Sequence, residues 1–320
     1  MAEVALAEVA LADAAPLFVQ ARAWLAAGHD VALVTVIQTW GSAPRPVGAH
    51  MIVRDDGAFE GSVSGGCVEG EVIANAQAAI RERCCRRLDF GVSDARAWEA
   101  GLACGGRIAL FIQPLDDAGF PPSLLDELVV AGTRRHAVAV TTDLHSGRSS
   151  VGPGTETGFH AVYAPARRLA IIGAVHIAQA LLPIVRQLGH EPLVIDPRGA
   201  FATRDRFPDV ALSVEWPDEA LDAWCPDRLS AVVTLTHDPK LDDPALIRAL
   251  RSQAYYIAAL GSRETHAARL ERLRARGFSD IELARIHGPA GLAIGARSPA
   301  EIAVSIAAQM TAARRQAPVA

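Results

Sequence analysis

The chain has 320 residues, half of them hydrophobic, which is enough to bury a large core and to form two domains. Its formal net charge of −5 argues against nucleic acid as a partner, because binding a phosphate backbone needs a surplus of basic residues. No apolar run reaches the roughly 18 residues that span a bilayer and no basic signal-peptide start is present, so we expect a cytoplasmic protein without a membrane partner.

Residues 1–150 are predicted to form an α+β domain whose sheet is built partly from hairpins. A helix is expected over residues 15–27. Asp55-Asp56-Gly57 is typical of a hairpin turn between strands at 49–54 and 59–63. The other expected strands are 31–37, 87–92, 107–113 and 137–142.

A glycine-rich segment surrounds Cys67 directly before an amphipathic run that predicts a helix. A cysteine at a helix N-terminus lies near the positive end of the helix dipole, which favours the thiolate. The unpaired N–H groups of such a turn can also hold an anion. The residues expected to form this anion cradle are Ser42, Arg45, Gly65 and Gly66. The alternative interpretation is a small, buried cysteine in a tight turn.

The other cysteines carry weaker signals. Cys104 also lies in a glycine-rich turn, and a thiolate there is a soft ligand that would also suit a transient persulfide. Cys84 and Cys85 stand among four arginines, which would lower the pKa of both thiols and offer a basic patch on which anions could dock. A charged helix end with incidental cysteines is the favoured alternative. Cys225 is interpreted as structural, and five irregularly spaced cysteines do not indicate a disulfide framework.

The second half alternates short apolar strands with helices, which predicts a Rossmann-like doubly wound parallel sheet over residues 167–320. A linker rich in Gly, Pro, Ser and Thr is expected over residues 151–166. The expected strands are 169–173, 192–195, 211–214, 231–235 and 255–259. The expected helices are 177–188, 217–223, 244–252, 262–274 and 299–314. Ser298 and Glu301 predict a capping box at the start of the last helix.

The turn after the first of these strands carries a degraded dinucleotide fingerprint. Gly173 matches its first glycine, but Val175 replaces the middle glycine that lets the backbone approach a pyrophosphate. Asp196 follows near the position of a ribose-binding acid, and Arg198 could instead meet a phosphate. Nucleotide binding therefore stays open, ordinary NAD binding is doubtful, and a fold without a bound dinucleotide is the favoured alternative.

Three clusters are expected at the carboxyl ends of parallel strands, where ligands of open α/β sheets bind. These residues are His176, His237 with Asp238, and Ser262 with Arg263. Arg263 at a helix start would suit a phosphate. His176, His237 and Asp238 could also hold zinc, but no close pair of ligands supports a metal. Loop capping and backbone hydrogen bonds are the structural alternatives.

Several ordered sequence blocks resemble the XdhC/CoxI family, the accessory factors of xanthine dehydrogenase and related molybdenum hydroxylases. The first two blocks are the glycine-rich segments at 41–48 and 61–71, and a third begins with Cys104-Gly-Gly106. The remaining blocks are 172–178, 195–198, 236–244, 260–263, 291–295 and 298–306.

This resemblance implies a chaperone without turnover of its own. Such a chaperone binds molybdenum cofactor in mono- or dinucleotide form, protects it, and helps insert the sulfurated form into a partner hydroxylase. Cys67 and Cys104 would handle the cofactor and contact molybdenum or sulfur. The implied partners are an apo molybdenum hydroxylase and a cysteine desulfurase, and a homodimer is a guess from the apolar terminal helices.

The sequence departs from the family pattern at two positions, and two other functions stay open. Ala293 stands where an Asp is usual, and Gln309 where the last helix often has Glu, so a metal or ribose role of that Asp is in doubt. One rival is an NAD(P)-dependent oxidoreductase with Asp196 on the ribose and His176 or His237 as acid–base. The other is a purely structural role as a component of the hydroxylase.

Overall fold

The computed structural model of the protein describes residues 6–41, 43–91, 106–152 and 158–316. The chain divides into two compact units, Met1–Pro165 and Ala166–Ala320, which we call unit 1 and unit 2. The range 151–166 that we expected to be a linker contains a strand, Phe159–Ala164, which pairs with two other strands of unit 1.

Unit 1 contains nine strands and three helices within its described residues. The strands are β1 (Leu6–Ala10), β2 (Val31–Trp40), β3 (His50–Arg54), β4 (Phe59–Gly61), β5 (Arg86–Phe90), β6 (Arg107–Pro114), β7 (Val138–Thr142), β8 (Ser149–Val151) and β9 (Phe159–Ala164). The helices are α1 (Leu11–Ala26), α2 (Glu69–Glu82) and α3 (Pro122–Arg134).

The strands of unit 1 form two sheets. A five-stranded antiparallel sheet has the order β4-β3-β2-β6-β5, and a four-stranded sheet has the order β1-β9-β7-β8. The predicted hairpin is confirmed, since Val53 pairs with Phe59 and Gly57 adopts a positive φ of 92° in the turn between them. Among the described strand pairs of unit 1, β1 and β9 run parallel and the others antiparallel.

Helix α2 covers one face of the five-stranded sheet. Its apolar residues recur at helical spacing, so Val72, Ala76, Ala79 and Ile80 are all buried in one core cluster with strand residues such as Met51. The helix ends at Arg83, whose φ of 50° is left-handed. The position of this helix fixes the glycine-rich loop that precedes it.

Unit 2 is the predicted doubly wound domain. Its strands are β10 (Arg167–Ile172), β11 (His190–Ile195), β12 (Ala211–Ser213), β13 (Ser230–Thr234), β14 (Tyr256–Ala259) and β15 (Ile286–His287). Its helices are α4 (His176–Gln187), α5 (Pro217–Trp224), α6 (Pro239–Leu250), α7 (Arg263–Arg274), α8 (Asp280–Leu283) and α9 (Pro299–Gln316).

The six strands of unit 2 are all parallel and have the order β12-β11-β10-β13-β14-β15. Counted within the unit this is 3-2-1-4-5-6, the order of the Rossmann fold. The order reverses between β10 and β13, and Rossmann folds bind ligands in the crevice at this switch, beyond the carboxyl ends of the strands. The apolar side chains of the helices pack against both faces of this sheet and form two core clusters.

Two helix starts in unit 2 show how local chemistry sets the boundaries. Helix α6 begins at Pro239, five residues before the predicted start, because the Asp238 side chain accepts a hydrogen bond from the Lys240 amide and Pro239 suits the first helical position. The capping box of α9 is confirmed, since Ser298 and Glu301 exchange hydrogen bonds in both directions.

A buried polar network holds β2, β3 and β9 of unit 1 together. The His50 ring lies between Thr35 Oγ1 at 3.1 Å from Nδ1 and Tyr163 Oη at 3.0 Å from Nε2. The Tyr163 ring also stacks on it at 5.7 Å. Burial lowers the pKa of His50 to about 4, so the ring is neutral near pH 7.

We therefore expect unit 1 to lose stability in mild acid. The folded pKa of His50 lies below its ordinary value of 6.5, so its contribution is complete above that pH and is lost as the pH falls towards 4. The loss should reach about 3 kcal/mol in the free energy of unfolding. Urea unfolding followed by tryptophan fluorescence should show it in the wild type and in the exposed control His136→Gln, but not in His50→Gln. An equal pH dependence in all three proteins would contradict this assignment.

Candidate functional site

The glycine-rich loop of unit 1 is wrapped around one carboxylate, that of Glu69, the first residue of α2. Oε1 accepts hydrogen bonds from the Ser62 hydroxyl at 2.8 Å and from the amides of Val63 and Ser64. Oε2 accepts from the Ser64 hydroxyl and from the amides of Gly66 and Val68. Burial raises the pKa of Glu69, but these donors outweigh it and bring the pKa to about 2.

The amides that we expected to cradle an external anion are therefore engaged inside the protein. The Gly66 amide donates to Glu69, and the Gly65 amide donates to Ser62 Oγ at 2.9 Å. Both glycines have positive φ values, 79° for Gly65 and 110° for Gly66, which explains why the loop uses glycine at these positions. The sequence pattern indicated amides that hold an anion, but it did not reveal that the anion is the carboxylate of Glu69.

Cys67 is half-buried and lies two residues before α2. Its amide donates to Ser64 Oγ at 3.1 Å, so the same network that binds Glu69 fixes the backbone that carries the thiol. Arg45 reaches this loop from the preceding segment, and its Nε donates to the Ser62 carbonyl at 3.2 Å. Arg45 is thus hydrogen-bonded to the same glycine-rich loop that carries Cys67.

A cavity of about 250 Å³ opens beside Arg45. Its walls combine the exposed Asp13 with Val47 and with the backbone of Gly48 and Gly61. Both glycines have positive φ values, and a Cβ on Gly61 would lie 2.6 Å from the His50 carbonyl oxygen. The cavity provides a guanidinium, two carboxylates (Glu8 and Asp13) and an apolar wall next to the Cys67 loop.

Two of the predicted site residues, Ser42 and Cys104, lie outside the described residues. Their roles stay predictions.

The expectation of a lowered pKa is wrong for Cys85. Burial, with a smaller contribution from the carboxylate of Asp116, raises the pKa of Cys85 to about 11. The neighbouring arginines do not lower it, because Arg86 pairs with Glu82 at 2.7 Å and Arg87 pairs with Asp89 at 3.0 Å. Cys225 is exposed and ends α5 in a left-handed conformation.

Asp196, the predicted ribose-binding acid, is fully buried at the end of β11. Its Oδ2 accepts hydrogen bonds from the Ala174 amide and from Arg198 Nη2, each at 2.8 Å. Its Oδ1 accepts from Arg198 Nε at 2.8 Å and from the Arg198 amide at 3.0 Å. Burial raises the pKa of Asp196, but Arg198 and the Ala174 amide outweigh it and hold the pKa below its usual range. Both carboxylate oxygens of Asp196 are thus occupied by hydrogen bonds, most of them from Arg198.

The turn directly after β10 contains Gly173 and is the first of three predicted ligand-binding loops. Gly173 has a φ of 111°, and a Cβ there would lie 2.8 Å from Thr236 Cγ2, so close packing at the switch between β10 and β13 requires this glycine. Val175 is the N-cap of α4 and His176 its first, exposed residue.

Further residues of the crevice follow β13 and β14. His237 is exposed with a left-handed φ of 62°, and Asp238 caps α6. Ser262 caps α7 by accepting a hydrogen bond from the Thr265 amide at 3.0 Å. Arg263 is exposed at the first position of α7 and forms no ion pair with another described residue. Capping explains Asp238 and Ser262, whereas His176, His237 and Arg263 have no such structural task here.

A buried ion pair beneath these loops was not predicted. Asp242 and Arg269 are each about 1% exposed, and Arg269 Nη2 lies 3.7 Å from Asp242 Oδ2. Asp242 also accepts from Thr236 Oγ1 at 2.6 Å, and Arg269 donates to the Leu260 carbonyl at 2.8 Å. The pair therefore ties the loop after β13 to the loop after β14. The positions of Asp242 and Arg269 in the sequence do not predict this pair, because the two helices that carry them become neighbours only when β13 and β14 pair.

Gln309, one of the two departures from the family pattern, lies behind the 291–295 loop. Its Oε1 accepts from the Gly291 amide at 2.8 Å and from Tyr256 Oη at 2.7 Å, and its Nε2 donates to the Gly291 carbonyl at 3.2 Å. An amide side chain can serve both backbone groups of Gly291, which a carboxylate cannot do.

Within the described ranges, no three His, Cys, Asp or Glu side chains are grouped as metal ligands would be. The zinc site considered for His176, His237 and Asp238 thus gains no support. No helix in the same ranges has the length and apolar character to cross a bilayer.

Comparison with known proteins identifies both units. The family described as "XdhC and CoxI family" matches residues 24–91, and the family described as "XdhC Rossmann domain" matches residues 169–310. The Molybdenum cofactor insertion chaperone PaoD of Escherichia coli K12 is 30% identical over 298 residues, which cover 91% of this chain and 85% of that protein.

Two further proteins are similar over almost the whole length. A probable xanthine dehydrogenase subunit of Bacillus subtilis strain 168 is 25% identical over 336 residues, covering 91% of this chain and 95% of that protein. A crystal structure described as a xanthine dehydrogenase from Bacillus halodurans has a TM-score of 0.78 at 24% identity, covering 94% of this chain and 96% of that one. The two chains share a fold.

The engagement of Glu69 by the loop predicts a strong effect of Glu69→Gln. A glutamine has one acceptor oxygen and turns an NH₂ group towards donors, so we expect a loss of about 3 kcal/mol in the free energy of unfolding. The thiol of Cys67 should also react faster with iodoacetamide as its loop loosens. Glu71→Gln, an exposed change in the same helical turn, is the matched control. Equal effects of the two variants would show that the Glu69 network does not hold the loop.

The environment of Cys85 predicts a large difference between two adjacent cysteines. With its pKa near 11, Cys85 is almost wholly a thiol at pH 7.5, whereas Cys84 is exposed. Alkylation by iodoacetamide, located by fragmentation mass spectrometry, should be much slower at Cys85 than at Cys84. The rate at Cys85 should rise steadily up to about pH 11. Comparable rates at pH 7.5 would refute the burial assigned to Cys85.

Proposed function

This chain belongs to the XdhC and CoxI family, as its sequence blocks predicted, and we propose that it is a chaperone for molybdenum cofactor. It binds the cofactor, protects it, and inserts it into a partner molybdenum hydroxylase of the xanthine dehydrogenase type. The insertion function named for the similar Escherichia coli protein supports this proposal.

The observation that carries the proposal is the fixed, half-buried thiol of Cys67. Molybdenum cofactor is the cargo here, and its metal and sulfur atoms match a soft thiolate ligand better than a carboxylate or an imidazole. The hydrogen bonds of Ser64 and Glu69 set the backbone of Cys67 in advance, so binding costs little ordering of the loop. Cys104 is the second proposed thiol.

The phosphate of the cargo needs a cation rather than the loop amides, because those amides already donate to Glu69 and to the Ser62 and Ser64 hydroxyls. Arg45 is the cation on this loop, and its fork can bind phosphate while Nε keeps its bond to the Ser62 carbonyl. Ser42 precedes it and is the other proposed anion contact. Gly65 and Gly66 then shape the loop rather than bind the phosphate themselves.

The crevice of unit 2 is the proposed site for a nucleotide, such as the second half of a dinucleotide cofactor. Its available groups are His176, His237 and Arg263, with Asp238 and Ser262 holding their loops. Asp196 and Arg198 contribute by fixing the turn at Gly173. A dehydrogenase would need an acid open to the ribose hydroxyls, and both oxygens of Asp196 are engaged, so the NAD(P) alternative has less support.

The finer parts of the proposal concern the source of sulfur, the oligomeric state and the location. From the family, we propose that a cysteine desulfurase supplies the terminal sulfur while the chaperone holds the cofactor. From the sequence, we also propose that the chain acts in the cytoplasm and, because of its apolar terminal helices, as a homodimer. A fixed stoichiometric complex with the hydroxylase would instead favour a purely structural role.

The test is the cofactor content of Cys67→Ala. The chain is purified anaerobically from a host that makes molybdenum cofactor, and molybdenum and pterin are measured per chain. We expect near-stoichiometric cofactor in the wild type and a loss of at least about tenfold in the variant, because its soft ligand is gone. Cys225→Ala, which removes an exposed cysteine of unit 2, should retain the cofactor.

Full retention by folded Cys67→Ala would overturn the role of this thiol. A wild type without cofactor, together with a rise in melting temperature on adding NAD(P), would overturn the chaperone in favour of the oxidoreductase.

A further inference from the structure

A groove of about 800 Å³ lies on the surface of unit 2, along one face of α6 and beside the last turn of α7. Residues 240, 243, 244, 247 and 251 recur at helical spacing and form this face, while the opposite face of α6 is buried in the core. Helix α6 has 12 residues, so the groove is roughly 18 Å long.

The groove is strongly basic on a chain that is acidic as a whole. Its cations are Lys240, Arg248, Arg251, Arg272 and Arg276, against two carboxylates, Asp218 and Asp243. This surplus contrasts with the net charge of −5 of the chain. Such a local reversal of sign attracts acidic partners and raises their rate of association.

Three of these cations are available to a partner. Arg272 is held by Asp243 in a bidentate pair at 2.6 and 3.0 Å, and Arg248 pairs with Asp222 at 2.9 Å. Lys240, Arg251 and Arg276 are exposed and form no ion pair with another described residue, and the guanidinium of Arg251 lies over the Phe278 ring at 5.8 Å from its centroid. They stand at the start of α6, directly after its end, and just beyond α7, so they span the whole groove.

The floor of the groove distinguishes a protein segment from a nucleic acid. Its accessible aliphatic side chains are those of Pro244 and Ile247, which are half-buried, and none of its lining residues is aromatic. Single-stranded nucleic acids are held by bases stacked on aromatic rings, which this floor does not provide. The carboxylates of Asp218 and Asp243 would also repel a uniform polyanion, whereas a peptide can place its acidic side chains away from them.

We propose that this groove is a docking site for an acidic, aliphatic segment of a partner protein. Glutamate or aspartate side chains of that segment bind Lys240, Arg251 and Arg276, and its leucine-like side chains cover Pro244 and Ile247. The proposal goes beyond cofactor binding, because it involves none of the residues assigned to that function.

The test uses a fluorescein-labelled ten-residue peptide that alternates glutamate with leucine, titrated into the full chain at low salt and followed by anisotropy. The probes for comparison are a glutamate–serine peptide of the same charge and an oligothymidylate of the same charge. The groove variant is the double substitution Lys240→Ala with Arg276→Ala. The charge-matched control is Arg81→Ala with Arg228→Ala, two exposed positions outside the groove.

We expect the glutamate–leucine peptide to bind most tightly. Its Kd should weaken about tenfold in the groove variant, as for two lost exposed charge contacts, and much less in the control. Added salt should weaken it further, and cofactor content should stay at the wild-type level in both variants.

Four results would overturn the proposal. These are no binding of the peptide, an equal loss in the control variant, equal binding of the glutamate–serine peptide, or tighter binding of the oligothymidylate. Cofactor content is measured on the same preparations, so a failure of the docking site is distinguished from a failure of the chaperone function.

Discussion

The glycine-rich loop of unit 1 depends on the Glu69 carboxylate. Six donors from five loop residues converge on its two oxygens. Without this carboxylate, the buried amides of the loop would have no hydrogen-bond acceptor. Because the carboxylate belongs to the first residue of α2, the loop is tied to the helix packed on the five-stranded sheet. The position of Cys67 therefore follows from the core of unit 1.

Unit 2 uses the same physical device at a different place. Asp196 accepts the Ala174 amide and the fork of Arg198, so a buried carboxylate occupies the turn where a dinucleotide-binding protein presents backbone to a pyrophosphate. In both units an internal anion satisfies the donors that a sequence pattern assigns to a ligand. In the proposed function, binding of a phosphorylated cargo then falls to Arg45 in unit 1 and Arg263 in unit 2.

The sequence predicted the elements well where they carry periodic apolar residues or strong turn signals. The hairpin at Gly57, the parallel sheet and the cap at Ser298 follow from such local patterns. The direction of the Glu69 side chain and the pairing of Asp242 with Arg269 could not be predicted in this way. Each depends on which backbone amides or strands are brought together in three dimensions, and a residue type alone does not specify that.

The docking groove and the crevice of unit 2 share one helix. Asp238 belongs to the crevice and caps α6 through the amide of Lys240, while the side chain of Lys240 belongs to the groove. The buried pair of Asp242 and Arg269 lies on the inner side of α6 and ties the loops after β13 and β14. A protein docked in the proposed groove would therefore bind the helix whose capping residue, Asp238, directly follows His237. Helix α6 is thus the element through which a docked partner would act on the proposed nucleotide site.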